Sequence, residues 1–146
     1  PMHDIGKITV SDVILQKPGA LNDEEYAQMK RHASEGGKLI RENMSRIVDK
    51  EFVDMAFDVA AHHHEKWNGR GYPDGLKGEE IPLSARIVAV ADIFDALVSK
   101  RQYKEGMSIE QAFEIMGKER GESFEPVLLD TFMEAEEELR KLMQEI

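Results

Sequence analysis

HHHEKWNGRGYPDGLKGEEIPLSARIVAVADIFDALVSKRQYK, residues 62–104, carries more information about the fold than any other part of the chain. From Ala85 to Val98 it is apolar almost all the way round, which predicts a buried helix. That helix nevertheless carries Asp92 and Asp95. An unpaired buried charge is very costly, so such a carboxylate needs a cation, a metal or hydrogen-bond donors. At the head of the stretch His62, His63, His64 and Glu65 stand side by side before a loop rich in Gly and Pro. Histidines and a buried aspartate this close together point to a metal site.

Before this stretch, the spacing predicts a helix over Ile47 to His64. Phe52, Ala56, Val59 and His63 form one buried line, and Val53, Phe57, Ala60 and His64 the line beside it. His63 and His64 therefore end the core-facing stripes, while His62 falls on the other side. A polar helix carboxyl end also favours histidine through the helix dipole, which accounts for one or two of the three. An earlier helix starts at Asn22, an N-cap followed by acids in the first turn. Tyr26, Met29, Ala33, Gly36 and Ile40 make its apolar stripe, with His32 at the edge. A lone histidine there is more often structural than a ligand. The pair Gly36-Gly37 inside a helix lowers its stability, which implies the close approach of another backbone. Between Val10 and Gly19 the chain is short and irregular, with one apolar turn at Val13-Ile14-Leu15. At the amino end, His3-Asp4 offers two adjacent ligand types, with Lys7 about one turn further on the same face. Taken alone, that pair is more simply read as an ordinary surface helix end.

After the loop, Ser84 is a candidate cap for the apolar helix, and Arg101 and Lys104 follow that helix with positive charge. Ser108-Ile109-Glu110-Gln111 has the capping-box pattern. Glu125-Pro126 opens a last helix, with Val127, Leu128, Phe132, Ala135, Leu139 and Leu142 facing inward. Alternating strands are not evident. The expected fold is an all-α bundle of about five to seven helices in a single domain.

The bulk composition agrees with that. The chain has 146 residues, 41% of them hydrophobic and 33% charged, enough for one domain with a core. A net charge of −10 disfavours a nucleic-acid polymer as partner. An anionic small substrate needs positive charge gathered at its site, which bound divalent metal supplies in part. With no Cys, a metal site must use His and carboxylate, and a cytoplasmic location fits. No signal peptide, membrane span or membrane contact is expected. The start at Pro1-Met2-His3-Asp4, with no cap or lead-in helix, reads as a piece of a longer protein.

HDIGK at 3–7, HHE at 63–65, NGRGYP at 68–73, VADIFDAL at 90–97 and FEP at 124–126 together resemble the HD-GYP subgroup of the HD-domain phosphohydrolases. The match covers nearly the whole chain, in order and at compatible spacing. The resemblance implies a helical HD-domain bundle holding two or three divalent ions, iron or manganese. It implies hydrolysis of the bacterial second messenger cyclic di-GMP to pGpG or GMP by a metal-activated bridging hydroxide. Carried over by residue, His3, Asp4, His32, His63, His64 and Asp92 are the metal ligands, with Asp4 bridging. Lys7 faces the scissile phosphate, and Gly71, Tyr72, Arg101 and Lys104 face the substrate. Asp95 holds neighbouring donors rather than metal. The family carries a further His, and in some members a Glu, on a helix before the His-Asp pair, so the first helix of the fold is expected to be missing here. Asn68, Gln102 and Glu125 replace residues usual in the family. The implied partners are a fused sensory or receiver domain and a diguanylate cyclase, and a homodimer is left open. The alternatives are an HD phosphohydrolase of another nucleotide and a non-catalytic signalling module.

Overall fold

Caps written into the sequence set where the helices begin. The computed structural model describes residues 2–46, 49–99 and 106–145. Among them are seven α-helices, two 3-10 segments and no strand, as the all-α reading expects. The first 3-10 segment, Met2–Thr9, leads to the short α1, Asp12–Leu15. Asn22 caps α2, Asp23–Met44, through a reciprocal pair in which its side chain accepts from the Glu25 amide and Glu25 accepts from the Asn22 amide. Helix α3, Lys50–His62, starts after Asp49, whose carboxylate caps the Glu51 amide; Ile47, its expected start, lies outside the described residues. The loop that follows contains the second 3-10 segment, Gly78–Glu80, and leads to α4, Leu83–Val98. Ser108 and Gln111 cap α5, Ile109–Lys118, in the expected box. Pro126 opens α6, Pro126–Glu134, and α7 is Glu136–Glu145.

Two clusters make the core. Ile40, Val53 and Ala60 pack α2 on α3. Val90, Phe94, Ile109, Ala112, Met116, Phe124 and Leu129 join α4 to α5 and α6. The first 3-10 segment packs on α2 and α3, and α4 packs on α3, so the two clusters meet where those elements converge.

The Gly-Gly pair in α2 has the close neighbours its cost implied. A Cβ on Gly36 would lie 3.2 Å from the Gly6 amide nitrogen, and one on Gly37 2.8 Å from the Phe57 ring.

Several expected faces are corrected. Helix α4 is buried on one side only, through Ala85, Ala89, Val90 and Phe94; Leu83, Ile87 and Ile93 are exposed. Asp95 is exposed too, so it needs no buried partner, and it accepts from Ser99 Oγ. Pro82, not Ser84, occupies the N-cap of α4. On α3, Val53, Ala60 and Ala61 make the buried contact, and Phe52, about 100° round the helix from Val53, turns outward. Tyr26 is exposed because the buried face of α2 begins only at His32. The last helix breaks at Ala135, and Val127 and Leu142 are exposed, leaving Leu129 as the anchor. The break places Glu136, Glu137 and Glu138 in the first turn of a new helix, where its dipole favours acids.

Candidate metal centre

Four separate segments deliver His3, Asp4, His32, His63, His64 and Asp92 to one place, the seam between the two core clusters. His3 and Asp4 come from the first 3-10 segment, His32 from α2, His63 and His64 from the end of α3, and Asp92 from α4. Among the described residues, two groups have ligand atoms close enough for one ion each: His32, His63 and His64, and His3, His63 and Asp92. His63 belongs to both. Asp4 lies between them. Its Oδ1 is 3.6 Å from His32 Nε2 and 3.9 Å from His63 Nε2, and its Oδ2 is 3.5 Å from His3 Nε2. His3 Nε2 is 3.3 Å from Asp92 Oδ1.

Backbone carbonyls fix which nitrogen of each buried ring is free. His32 Nδ1 donates to Met29 O at 2.6 Å, and His63 Nδ1 donates to Val59 O at 2.9 Å. Their Nε2 lone pairs are thereby aimed into the cluster, the arrangement that orients metal-ligating histidines. His64 Nε2 is 3.1 Å from His32 Nε2. His63 Nε2 is buried with no hydrogen-bond partner among the described residues. A buried acceptor without a partner is unfavourable. Converging imidazole lone pairs beside two carboxylates are stabilised by a cation, so these residues fit a metal.

The electrostatics agree. Burial pushes the His63 imidazole down, and burial together with His63 and His32 lowers His64 to about 3, so both rings stay neutral. Burial raises the Asp4 carboxyl, but Lys7, His3 and His32 outweigh it and hold it below its ordinary value. The neighbouring His3 ring, against burial, does the same for Asp92. In the absence of metal the protein is expected to lose stability as the pH falls from about 7 to about 4, because unfolded histidine titrates near 6.5 while His63 and His64 resist protonation. Over that window the unfolded chain binds more protons and is favoured. Asp4 and Asp92 extend the loss to more acid pH. Thermal midpoints measured with a chelator present test this, and a flat profile would refute it.

The remaining expected site residues divide. Lys7 Nζ donates to Asp4 Oδ2 at 2.7 Å. Tyr72 stacks on His64 with ring centroids 4.8 Å apart, and its amide donates to His64 O at 3.2 Å. Burial pushes its phenol above the ordinary value, with Tyr26, Asp4 and Asp92 adding to the rise, so it stays protonated. Gly71 packs so closely that a Cβ there would lie 2.4 Å from the Lys66 amide nitrogen. His62 turns away, with Nε2 3.2 Å from Asp74 Oδ2. Arg101 and Lys104 lie outside the described residues. Glu125 pairs with Arg86 at 2.6 Å, and Asn68 donates to Glu122.

Glu65 has a role that pattern reading did not assign. It is buried, and its two carboxyl oxygens accept from the Asp74 amide at 2.7 Å and the Leu76 amide at 3.1 Å. It thus clamps the loop whose Tyr72 covers His64. A signal was present: loop amides beside a buried face need acceptors, and Glu65 is the acid nearest the loop entrance. Glu65→Ala is expected to lower stability by about 3 kcal/mol, because two amides lose a strong acceptor at a buried position. Glu65→Gln, which keeps one acceptor oxygen, should lose less. Thermal melts of both variants check the order.

Residues 1–128 match the HD domain family. The chain belongs to the HD-domain family. Relatives of this HD domain are named phosphodiesterases. It is 44% identical over 99% of its length to a probable cyclic di-GMP phosphodiesterase of Vibrio cholerae. It is 43% identical over 95% of its length to a cyclic di-GMP phosphodiesterase of Thermotoga maritima. A 3'3'-cGAMP-specific phosphodiesterase 2 of Vibrio cholerae is 42% identical over 92% of the chain. The HD domain spans 33%, 36% and 25% of these relatives' own lengths, respectively. The HD-GYP resemblance agrees with both comparisons. HD-domain phosphohydrolases are metal-dependent, and this member has His/Asp groups of the kind that hold metal.

Proposed function

We propose that the chain is the hydrolytic domain of a cyclic-dinucleotide phosphodiesterase and that its substrate is cyclic di-GMP. The observation that carries this reading is two three-residue ligand groups sharing His63, with Asp4 between them and Lys7 on Asp4. Relatives named for cyclic di-GMP support the substrate. His3, Asp4, His32, His63, His64 and Asp92 hold two or three ions; imidazole and carboxylate without thiolate suit iron or manganese. Such ions, when bound, lower the pKa of water and neutralise a phosphodiester during in-line displacement.

The chain's own residues supply the rest. Asp4 faces both ligand groups and would offer an oxygen to each. Lys7 places an ammonium beside Asp4, where charge builds on the phosphoryl oxygens. Tyr72 keeps its phenolic proton and can donate it in a hydrogen bond to the substrate, while its ring shields His64 from water. Arg101 and Lys104 are the further cations proposed for the phosphates. The products are pGpG, GMP or both, and the messenger's location makes the domain cytoplasmic. Since the chain spans only 25–36% of these relatives' lengths, a fused sensory or receiver domain is proposed to control it.

Three relatives named for 3'3'-cGAMP favour a second reading, hydrolysis of that dinucleotide. Iron- or manganese-loaded protein, offered cyclic di-GMP, 3'3'-cGAMP and pGpG with products separated by chromatography, decides. Turnover of cyclic di-GMP that a chelator abolishes is expected. Turnover of 3'3'-cGAMP alone selects the second reading. Metal-loaded protein that cleaves none of the three points to a non-catalytic module.

A further inference from the structure

Tyr26 and Lys30 stand beside the metal centre without serving it. They lie four residues apart on α2 and so share a face. The Tyr26 ring meets the Tyr72 ring edge to face, with centroids 6.4 Å apart. Lys30 Nζ is 5.1 Å from the Tyr26 centroid and 5.9 Å from that of Tyr72. Among the described residues no carboxylate pairs with Lys30. Tyr72 in turn stacks on His64, so a continuous path of rings runs from the candidate ligands to the surface. Tyr26 is 48% exposed, at a point where α2 has no core to pack against.

The exposed Tyr26 ring against the part-buried Tyr72, with an adjoining ammonium and next to an anion-handling centre, suits a flat aromatic group carried on a phosphate. Bases stack on aromatic side chains whatever their sequence. A lysine beside the stack adds discrimination: guanine presents the acceptors O6 and N7, whereas adenine presents an amino donor in place of O6.

We propose that Tyr26, Tyr72 and Lys30 form the subsite that holds one nucleobase of the cyclic dinucleotide, with guanine preferred to adenine. This rests on the phosphodiesterase reading above. Steady-state kinetics of the manganese-loaded protein on cyclic di-GMP and cyclic di-AMP test it. Tyr26→Ala is expected to raise KM for cyclic di-GMP roughly tenfold or more, with a much smaller change in kcat, and Tyr26→Trp to restore it. Lys30→Gln is expected to narrow the preference for cyclic di-GMP over cyclic di-AMP, and Lys30→Arg to retain it. Both positions are on the helix surface, and thermal melts verify that the variants fold. Wild-type KM values in Tyr26→Ala and an unchanged preference in Lys30→Gln overturn the subsite and leave the phosphodiesterase reading standing. A wild type that hydrolyses neither of these nor 3'3'-cGAMP removes that reading and the subsite with it.

Discussion

His63→Ala is expected to empty both ion positions at once and abolish turnover. The imidazole belongs to both ligand groups, so its loss leaves each with two donors. His32→Ala should damage only the first group and Asp92→Ala only the second. Loss of activity in His63→Ala should therefore far exceed the roughly 10–100-fold typical of residues that merely support a ligand. The fold should survive, because His63 lies just beyond the last residue of α3 and hydrogen-bonds that helix only through Nδ1, to carbonyls at its end. His62→Ala, one position earlier, should keep its metal, since His62 faces Asp74. Metal analysis and turnover on the same samples, with circular dichroism as the folding control, check these outcomes. Two retained ions in His63→Ala would refute the shared-ligand arrangement.

Gly6→Ala is expected to be nearly as damaging, without touching a ligand. Its Cβ would fall 1.9 Å from His32 O and 2.6 Å from the Gly36 amide nitrogen, both backbone atoms of a packed helix. Neither can rotate away, so the 3-10 segment must lift off α2, destabilising the protein by about 3 kcal/mol or more. Lifting that segment carries His3 and Asp4 away from His32, and the metal should go with them. Gly36→Ala is the informative contrast. Its nearest contact is 3.2 Å, so the neighbour has only to give slightly. The gain of about 1 kcal/mol in helix propensity offsets that crowding. Gly36→Ala should therefore melt close to the wild type and Gly6→Ala well below it. Equal melting temperatures and equal metal content for the two would show that the backbone contact is unimportant.

How far the sequence reaches depends on the range of each signal. The boxes at Asn22/Glu25 and Ser108/Gln111 and the Pro126 start are local, because each is satisfied within one turn. The candidate ligands were legible as chemistry: His63 and His64 at the end of a stripe, and a carboxylate on an apolar helix. What was not legible was which flank of each helix meets a neighbour. Leu83 and Ile87 look like core by composition, yet the elements packed on α4 cover its other side. Phe52 fails for the same reason. The clamp made by Glu65 and the cluster of Tyr26, Lys30 and Tyr72 depend on how the loop folds back on α2 and α3, which no helical period encodes. Residues near Ala135 keep an apolar spacing through a break that the crowded acids favour.

The candidate ligands run from His3 to Asp92; the first 3-10 segment, α2 and α3 pack on one another around one core cluster, and Asp92 joins them only when α4 brings the second. No partly assembled chain offers the full set. Metal should then act on the escape rate from the native state rather than on the rate of arrival, because contacts absent from the transition state slow unfolding and leave folding unchanged. Metal bound there would lengthen the life of the folded state without hastening its formation.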